Sequence, residues 1–196
     1  MLTKKQAEKL IKIKGESRGV NLKIDFEYVL EQKGDQALKK VEENMTLLGF
    51  PLRYKKINQM DFYPIGIEVI TLLTIKDVLR LNEEGLEKMG EAVVKFSIFM
   101  KVLMKYFGSL ELIAKEVPKI WKDHYTVGSL QMPDFSAKDR FAILEQKGFK
   151  IHPVYCSIHK GYFLKATQMV VKKIGTCEET KCMFRGDPYN EFLLKW

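Results

Sequence analysis

A change in hydrophobic period after Gly128 is the feature that most constrains how this chain of 196 residues folds. Before Gly128, apolar residues recur every three or four positions, as is typical of helices; the clearest run is Leu38, Val41, Met45 and Leu48. After Gly128, the pattern predicts, in order, a strand over 141–144, a helix over 155–171, and strands over 177–184 and 191–196. This order predicts an α+β fold, with helices packed on one face of an antiparallel sheet.

The region before the sheet is predicted to contain a separate helical arm. Gly34 is expected to end one helix, and Asn82 and Ser109 are expected to cap two later ones. We therefore predict a small helical arm over residues 1–58, followed by a larger domain over residues 59–196.

Charge and hydropathy limit the classes of protein to which this chain can belong. Basic residues outnumber acidic ones by 33 to 25, but only five of the 33 are Arg, the residue that dominates phosphate and base recognition. A Lys-rich solvated surface is favoured, and a nucleic-acid-binding regulator that uses the basic arm is kept as an alternative. The longest apolar run, Val69–Ile75, is far shorter than the roughly 20 residues that span a bilayer. No apolar signal segment follows Met1, so we expect a cytoplasmic protein without a membrane span.

Known catalytic motifs give no support to an enzyme. The sequence has no P-loop, no dinucleotide-binding glycine fingerprint, no His-Glu-x-x-His and no nucleophile elbow. The three cysteines, Cys156, Cys177 and Cys182, all lie in the last quarter of the chain. An odd number of cysteines without a signal segment argues against a disulfide framework and indicates a metal or thiol site. A binding protein is therefore favoured over an enzyme.

The C-terminal quarter carries a recognisable pattern. Cys156 begins the run Cys-Ser-Ile-His-Lys-Gly-Tyr, and Glu179-Thr180-Lys181-Cys182 is followed by Gly186-Asp187-Pro188. Over residues 150–196 this pattern resembles the 4-vinyl reductase domain family, with a weaker likeness back to about residue 60. That family includes sensor domains of aromatic-responsive bacterial activators and a protein of bacteriochlorophyll synthesis, and it resembles TRAPP subunits in fold. The resemblance implies a ligand-binding domain over residues 59–196.

The resemblance also implies a structural zinc. In the aromatic-sensing members four residues hold the metal, and three of them match Cys156, Glu179 and Cys182. The fourth falls on Asn190, a poor zinc ligand. Either a substitute completes the site, or the site is lost and the cysteines are small buried hydrophobes; the candidate substitutes are Cys177, His159 and Asp187. Because Glu179 and Cys182 are three residues apart, they reach one metal only at a bulge or a strand end.

A pocket for a hydrophobic or aromatic ligand is the second implication of the resemblance. Its predicted lining is Phe96, Met100, Trp121, His124 and Tyr125. Trp121 and His124 lie three apart on one helix face, where an indole donor and an imidazole can orient a polar group. A plain hydrophobic core is the alternative interpretation of the same residues.

Together these features predict a stand-alone small-molecule-binding domain of sensor type, forming a homodimer, with zinc as its possible metal. A tetrapyrrole- or haem-binding carrier or reductase-like protein is the alternative, by analogy with the bacteriochlorophyll member. His152 and His159 are expected at the surface or in turns. Gly161 is expected to permit close helix–sheet packing, and Gly186 to permit a turn with positive φ.

Overall fold

The structure is a computed structural model that describes residues 2–96 and 109–196. It confirms a mixed α+β architecture and contains two compact units: Met1–Gly85 with His124–Thr126, and Leu86–Asp123 with Val127–Trp196. We call these the first and the second unit. The first unit extends well beyond residue 58, because the helix that follows that point packs against the N-terminal helices.

The first unit is mostly helical. Its elements are α1 (Lys4–Leu10), β1 (Glu16–Arg18), α2 (Gly19–Leu47), β2 (Phe62–Pro64) and α3 (Ile65–Leu79). Strands β1 and β2 pair antiparallel. The predicted stop at Gly34 is confirmed as a break inside α2, where Gly34 has a φ of 71°, a conformation that is costly for residues with a Cβ.

Helix α3 forms the centre of the first unit because it is apolar on almost every side. Five of its apolar side chains are at most 1% exposed: Ile65, Val69, Ile70, Leu72 and Ile75. A helix that is apolar all round is stable only when it is buried all round. No helix in the described ranges, α3 included, is long and apolar enough to cross a membrane.

The elements that follow α3 combine helices with a four-stranded sheet. They are α4 (Glu83–Phe96), α5 (Leu110–His124), β3 (Ser129–Ser136), β4 (Phe141–Lys147), α6 (Val154–Val171), β5 (Thr176–Lys181) and β6 (Asn190–Lys195). The sheet is antiparallel in the order β3-β4-β6-β5. The predicted caps are confirmed, since Asn82 Oδ1 accepts from the Gly85 N–H and Ser109 Oγ from the Leu112 N–H.

Strand β3 is missing from the sequence prediction because it lies at the edge of the sheet. Only Leu130 is buried in it, and the other positions are half-buried or exposed, so it shows no clean alternation of buried and exposed residues. It also contains Pro133, which is tolerated at an edge or a bulge but not in a central strand. The register with β4 shifts between Gln131 and Asp134, as expected at such a position.

Alternating burial in β4 and β6 directs one face of the sheet towards α6. The buried positions on these strands are Ala142, Leu144, Gln146, Asn190, Phe192 and Leu194. Helix α6 packs on that face through contacts with β5 and β6, including the rings of Phe163 and Phe192, whose centroids are 5.1 Å apart. The predicted packing of a helix on one face of an antiparallel sheet is therefore confirmed.

Two glycines allow α4 and α6 to cross closely. A Cβ on Gly161 would lie 1.9 Å from Glu87 O, and a Cβ on Gly90 would lie 2.0 Å from Ile158 O. Gly161 was predicted to permit close packing of a helix on the sheet. The prediction names the wrong element, because the close neighbour of Gly161 is the second helix, α4. Lys160 Nζ and Glu87 Oε1 form an ion pair at 2.8 Å beside this crossing.

Candidate functional site

A cavity of about 80 Å³ lies in the second unit, between α5, α6 and strands β3 and β4. The residues that line it are Leu110, Ile113, Val117, Ile120, Leu130, Met132, Leu144, Tyr162, Phe163, Ala166, Thr167 and Val170. The wall is almost entirely aliphatic or aromatic, because both helices turn their apolar stripes towards the sheet at this point. Such a wall favours an apolar guest.

Tyr162 and Thr167 contribute the only hydroxyl groups among these lining residues. Burial raises the pKa of Tyr162 to about 12, so the phenol keeps its proton at neutral pH. Tyr162 therefore offers a ligand in the cavity one neutral group that can donate and accept a hydrogen bond.

None of the described residues that were predicted to line a ligand pocket is among those that line this cavity. Trp121 is buried in the second unit, where Nε1 donates to Val127 O at 3.0 Å and the ring meets Phe149 edge-on. His124 and Tyr125 belong to the first unit. Phe96 ends α4 and is not among the residues lining the cavity. The fifth residue, Met100, lies outside the described residues.

The cavity lining was missed by sequence analysis for a recognisable reason. Its residues come from α5, from two strands and from the C-terminal half of α6, and β3 was not predicted at all. Along the chain each is an ordinary apolar core position. The helical spacing of Ile113, Val117 and Ile120 was the one available signal, and it indicates only a buried face.

His159 is a core residue, and its expected surface position is wrong. It is 6% exposed, and its ring contacts four aromatic rings: Trp121, Phe149, Tyr155 and Phe163. Gln146 Nε2 lies 3.0 Å from its Nδ1, with the amide as donor to a neutral ring. Burial lowers the pKa of His159 to about 3, because the charged imidazolium would lose its hydration.

Asn190 has a structural role beside His159. Its Oδ1 accepts from the Met183 N–H at 2.7 Å, and its Nδ2 donates to Gln146 Oε1 at 2.7 Å. Asn190, Gln146 and His159 thus form a buried hydrogen-bonded chain. This explains why an amide stands where the resemblance expected a fourth ligand, since an amide both donates and accepts.

The three predicted metal ligands do lie together. The ligand atoms of Cys156, Glu179 and Cys182 are all within 4.8 Å of one another, and the two sulfur atoms are 3.8 Å apart. Glu179 precedes a register shift in β5 and Cys182 lies just beyond the strand, as their spacing required. Burial, reinforced by the Glu179 charge, raises the pKa of Cys156. The neutral thiol is therefore favoured there.

The suggested substitute ligands have other roles. Asp187 Oδ2 accepts from the Cys182 N–H at 2.8 Å, and His159 is enclosed by aromatic rings. Burial raises the pKa of Cys177 to about 12. Glu179 itself pairs with Arg185 at 3.0 Å. Glu179 Oε1, by contrast, is buried without a hydrogen-bond partner among the described residues.

Comparison with solved structures identifies the fold of this chain. No protein-family model matches the chain, and no curated protein matches it in sequence. Solved structures do match: an H-NOX protein from S. oneidensis in the Fe(II)NO ligation state has a TM-score of 0.68 at 10% identity, covering 91% of this chain and 98% of that one. An unliganded Fe(II) H-NOX protein from K. algicida has a TM-score of 0.62 at 14% identity, covering 91% and 95%. The chain therefore has the H-NOX fold.

This likeness corrects two expectations. The resemblance to the 4-vinyl reductase and TRAPP-like class is wrong, because the similar solved structures are H-NOX proteins. The expectation of a zinc cofactor is wrong for the same reason. That resemblance was its basis, and the similar solved structures are described by iron and haem instead. The pattern misled because Gly186, with φ 102°, and Asp187, which accepts from the Cys182 N–H, build a local turn that unrelated hairpins also use.

Proposed function

We propose that this chain is a small-molecule sensor domain whose ligand occupies the cavity of the second unit. The cavity itself carries the proposal, because an apolar wall that includes the buried phenol of Tyr162 suits a small, largely apolar ligand. The fold supports it, since one of the similar proteins was solved with NO on its iron. The homodimer and the cytoplasmic location are kept as parts of the proposal.

The volume of the cavity limits its ligand. Sites for drug-sized molecules span about 300–1,000 Å³, whereas an engineered cavity of about 150 Å³ holds benzene. At about 80 Å³, this cavity takes a dissolved gas, or a single ring if the walls adjust slightly. Aromatic ligands larger than a single ring are too bulky for it.

The ligand test is a thermal shift on the full chain with benzene, phenol and toluene. We expect a rise of roughly 5–10 °C at 100-fold excess over Kd. Ala166→Leu, which fills the cavity, should abolish the rise, while Lys165→Leu on the same helix but outside the lining should retain it. An equal rise in Ala166→Leu places the ligand elsewhere and contradicts the proposal.

Tyr162→Phe tests the phenol of the cavity separately. Removing its hydroxyl should weaken phenol binding about 5-fold, the value of one neutral hydrogen bond of about 1 kcal/mol. Benzene affinity should remain unchanged, because benzene makes no hydrogen bond. Isothermal titration with both ligands measures the difference, and a parallel loss for both ligands would show that the hydroxyl has no recognition role.

Haem binding is the second candidate, and the comparisons favour it over a large hydrophobic ligand. Several of the similar structures are described by haem, porphyrin or an iron ligation state. The cavity of the second unit does not fit haem, because it is too small and no His or Cys lines it. The chain has three histidines, and His159 is enclosed by aromatic rings.

His124 is the residue best arranged to hold haem iron. Its Nδ1 lies 2.7 Å from Asn21 Oδ1, and metal-binding histidines commonly donate the other ring N–H to such an oxygen. His152 Nδ1 instead accepts a hydrogen bond from the Val154 N–H at 3.1 Å. This bond occupies that ring nitrogen at the start of α6. Bound haem would supply an iron centre to which a gas can bind as a ligand.

Titration with hemin tests this candidate. If His124 holds the iron, the full chain should show a shifted Soret band that is lost in His124→Ala and retained in His152→Ala. The same Soret shift in both variants would exclude His124 as the ligand. Absence of any shift in the unmodified chain would reject haem and leave direct binding in the cavity.

A further inference from the structure

Three segments of the second unit meet at one end of its four-stranded sheet, and each carries basic side chains. They are the turn 137–140 between β3 and β4, the loop 172–175 between α6 and β5, and the end of β6. The Trp196 N–H donates to Arg140 O at 3.1 Å, and Lys195 is paired with Thr176 on one side and with Phe141 on the other. The basic residues of these segments therefore share one end of the sheet: Lys138, Arg140, Lys172, Lys173 and Lys195.

These five cations are available to a partner outside the chain. All five are exposed, and none forms an ion pair with a side chain that the structure describes. The acids that border the three segments are Asp139, whose Oδ2 accepts from Ser136 Oγ at 2.7 Å, and Glu178 on β5. Five positive charges outnumber these two acids even when the α-carboxylate of Trp196 is added to them.

Ile174 projects from the middle of this basic surface. It is 92% exposed, the highest value among the exposed large hydrophobic residues of the described chain. Its loop is fixed at both ends, because Lys172 leaves α6 with a φ of 53° and a Cβ on Gly175 would lie 2.4 Å from Lys195 O. A single exposed apolar residue is ordinary on a protein surface, but this one stands at the tip of a defined loop that is bordered by cations.

The composition of this surface favours a lipid bilayer over a protein as its partner. Four of its five cations are Lys, which is depleted at protein interfaces, where Arg and aromatic residues are enriched. Anionic lipids attract Lys and Arg alike, because the attraction depends on charge near the surface rather than on paired geometry. An apolar side chain among the cations can enter the boundary between headgroups and acyl chains while the cations stay at the headgroups.

We propose that this surface, which we call the sheet-end patch, docks the second unit on an anionic lipid bilayer. The patch consists of Lys138, Arg140, Lys172, Lys173, Ile174 and Lys195. Its cations contact the lipid phosphates, and Ile174 inserts at the level of the headgroups. The patch shares no residue with the cavity lining and does not include His124, so it depends on neither candidate ligand.

Co-sedimentation of the full chain with lipid vesicles tests the proposal. We expect binding to vesicles of equal parts phosphatidylglycerol and phosphatidylcholine, and none to phosphatidylcholine alone. Each cation near an anionic surface contributes about 5-fold to the partition coefficient. Lys172→Gln combined with Lys173→Gln should therefore weaken binding about 25-fold. Lys39→Gln combined with Lys40→Gln is the matched control, because both lysines are exposed in α2 and the net charge changes equally; it should bind as the unmodified chain does.

A second pair of variants tests the insertion of Ile174. Ile174→Ser should weaken binding about 10-fold, since it removes apolar surface that enters the bilayer. Leu47→Ser is the matched control, because Leu47 is 78% exposed and lies outside the patch. All of these positions are exposed, so the melting temperature of each variant should match that of the unmodified chain.

Three results would overturn the proposal. The first is failure of the unmodified chain to bind the anionic vesicles, and the second is equal binding to vesicles of phosphatidylcholine. The third is equal binding of the patch variants and their controls. Binding to polyglutamate that needs Lys172 and Lys173, without binding to vesicles, would assign the patch to an acidic protein instead. Ala166→Leu should bind vesicles normally, so failure of the cavity proposal is distinguishable from failure of this one.

Discussion

Gly161→Ala is expected to destabilise the protein by about 3 kcal/mol or more. Its new Cβ would lie 1.9 Å from Glu87 O, and a backbone oxygen cannot move aside as a flexible side chain can. Overpacking usually costs about 1–3 kcal/mol, and here α4 and α6 must separate, which opens the face that α6 buries on the sheet. The gain in helix propensity of up to about 1 kcal/mol does not offset this loss.

Urea unfolding followed by circular dichroism measures the effect. Gly85→Ala is the matched control, because its Cβ would meet only the Leu81 and Asn82 side chains, at 3.2–3.3 Å. That control should change stability by less than about 1 kcal/mol. If Gly161→Ala unfolds at the same urea concentration as the unmodified chain, the close crossing of α4 and α6 is not present in solution.

Acidification from pH 7.5 to pH 5 is expected to remove about 2 kcal/mol of stability through His159 alone. Its folded-state pKa is about 3, against about 6.5 when it is exposed in the unfolded chain. The unfolded state therefore binds a proton below pH 6.5, whereas the folded state does not bind this proton until about pH 3. Stability from this group is complete above pH 6.5 and falls as the pH is lowered towards 3.

His159→Gln should flatten this part of the pH profile. Glutamine does not titrate, and its amide oxygen can still accept from Gln146. His152→Gln is the matched control, and it should retain the loss because His159 still titrates. Urea midpoints at several pH values between 5 and 7.5 measure the difference. Parallel profiles for the unmodified chain and His159→Gln would contradict the buried position of His159.

Local signals account for the elements that could be predicted. Gly34 breaks α2, and Asn82 and Ser109 cap the next helices, because these effects act within one helical turn. The alternation in β4 and β6 reflects the pleat of each strand by itself. Strand β3 lacked such a signal, since Leu130 is the single buried residue of this edge strand.

Residues that depend on distant partners could not be assigned from the sequence. His159 has the flanking residues of a surface helix position, but Trp121 and Phe149 enclose it in the fold. Glu179 and Cys182 were placed together only through a resemblance that proved wrong for the fold, although their spacing was consistent with the bulge that the structure shows. Asn190 was taken for a failed ligand because Gln146, its partner, lies 44 residues away.

By itself, the sequence determined the α+β class and most helix and strand positions, because caps, glycine breaks and hydrophobic period act over a few neighbouring residues. The tertiary structure alone decided the H-NOX fold, the cavity beside Tyr162 and the buried position of His159. These features join residues from separate elements, and the free energy that brings them together comes from burial of the whole core rather than from any local pattern.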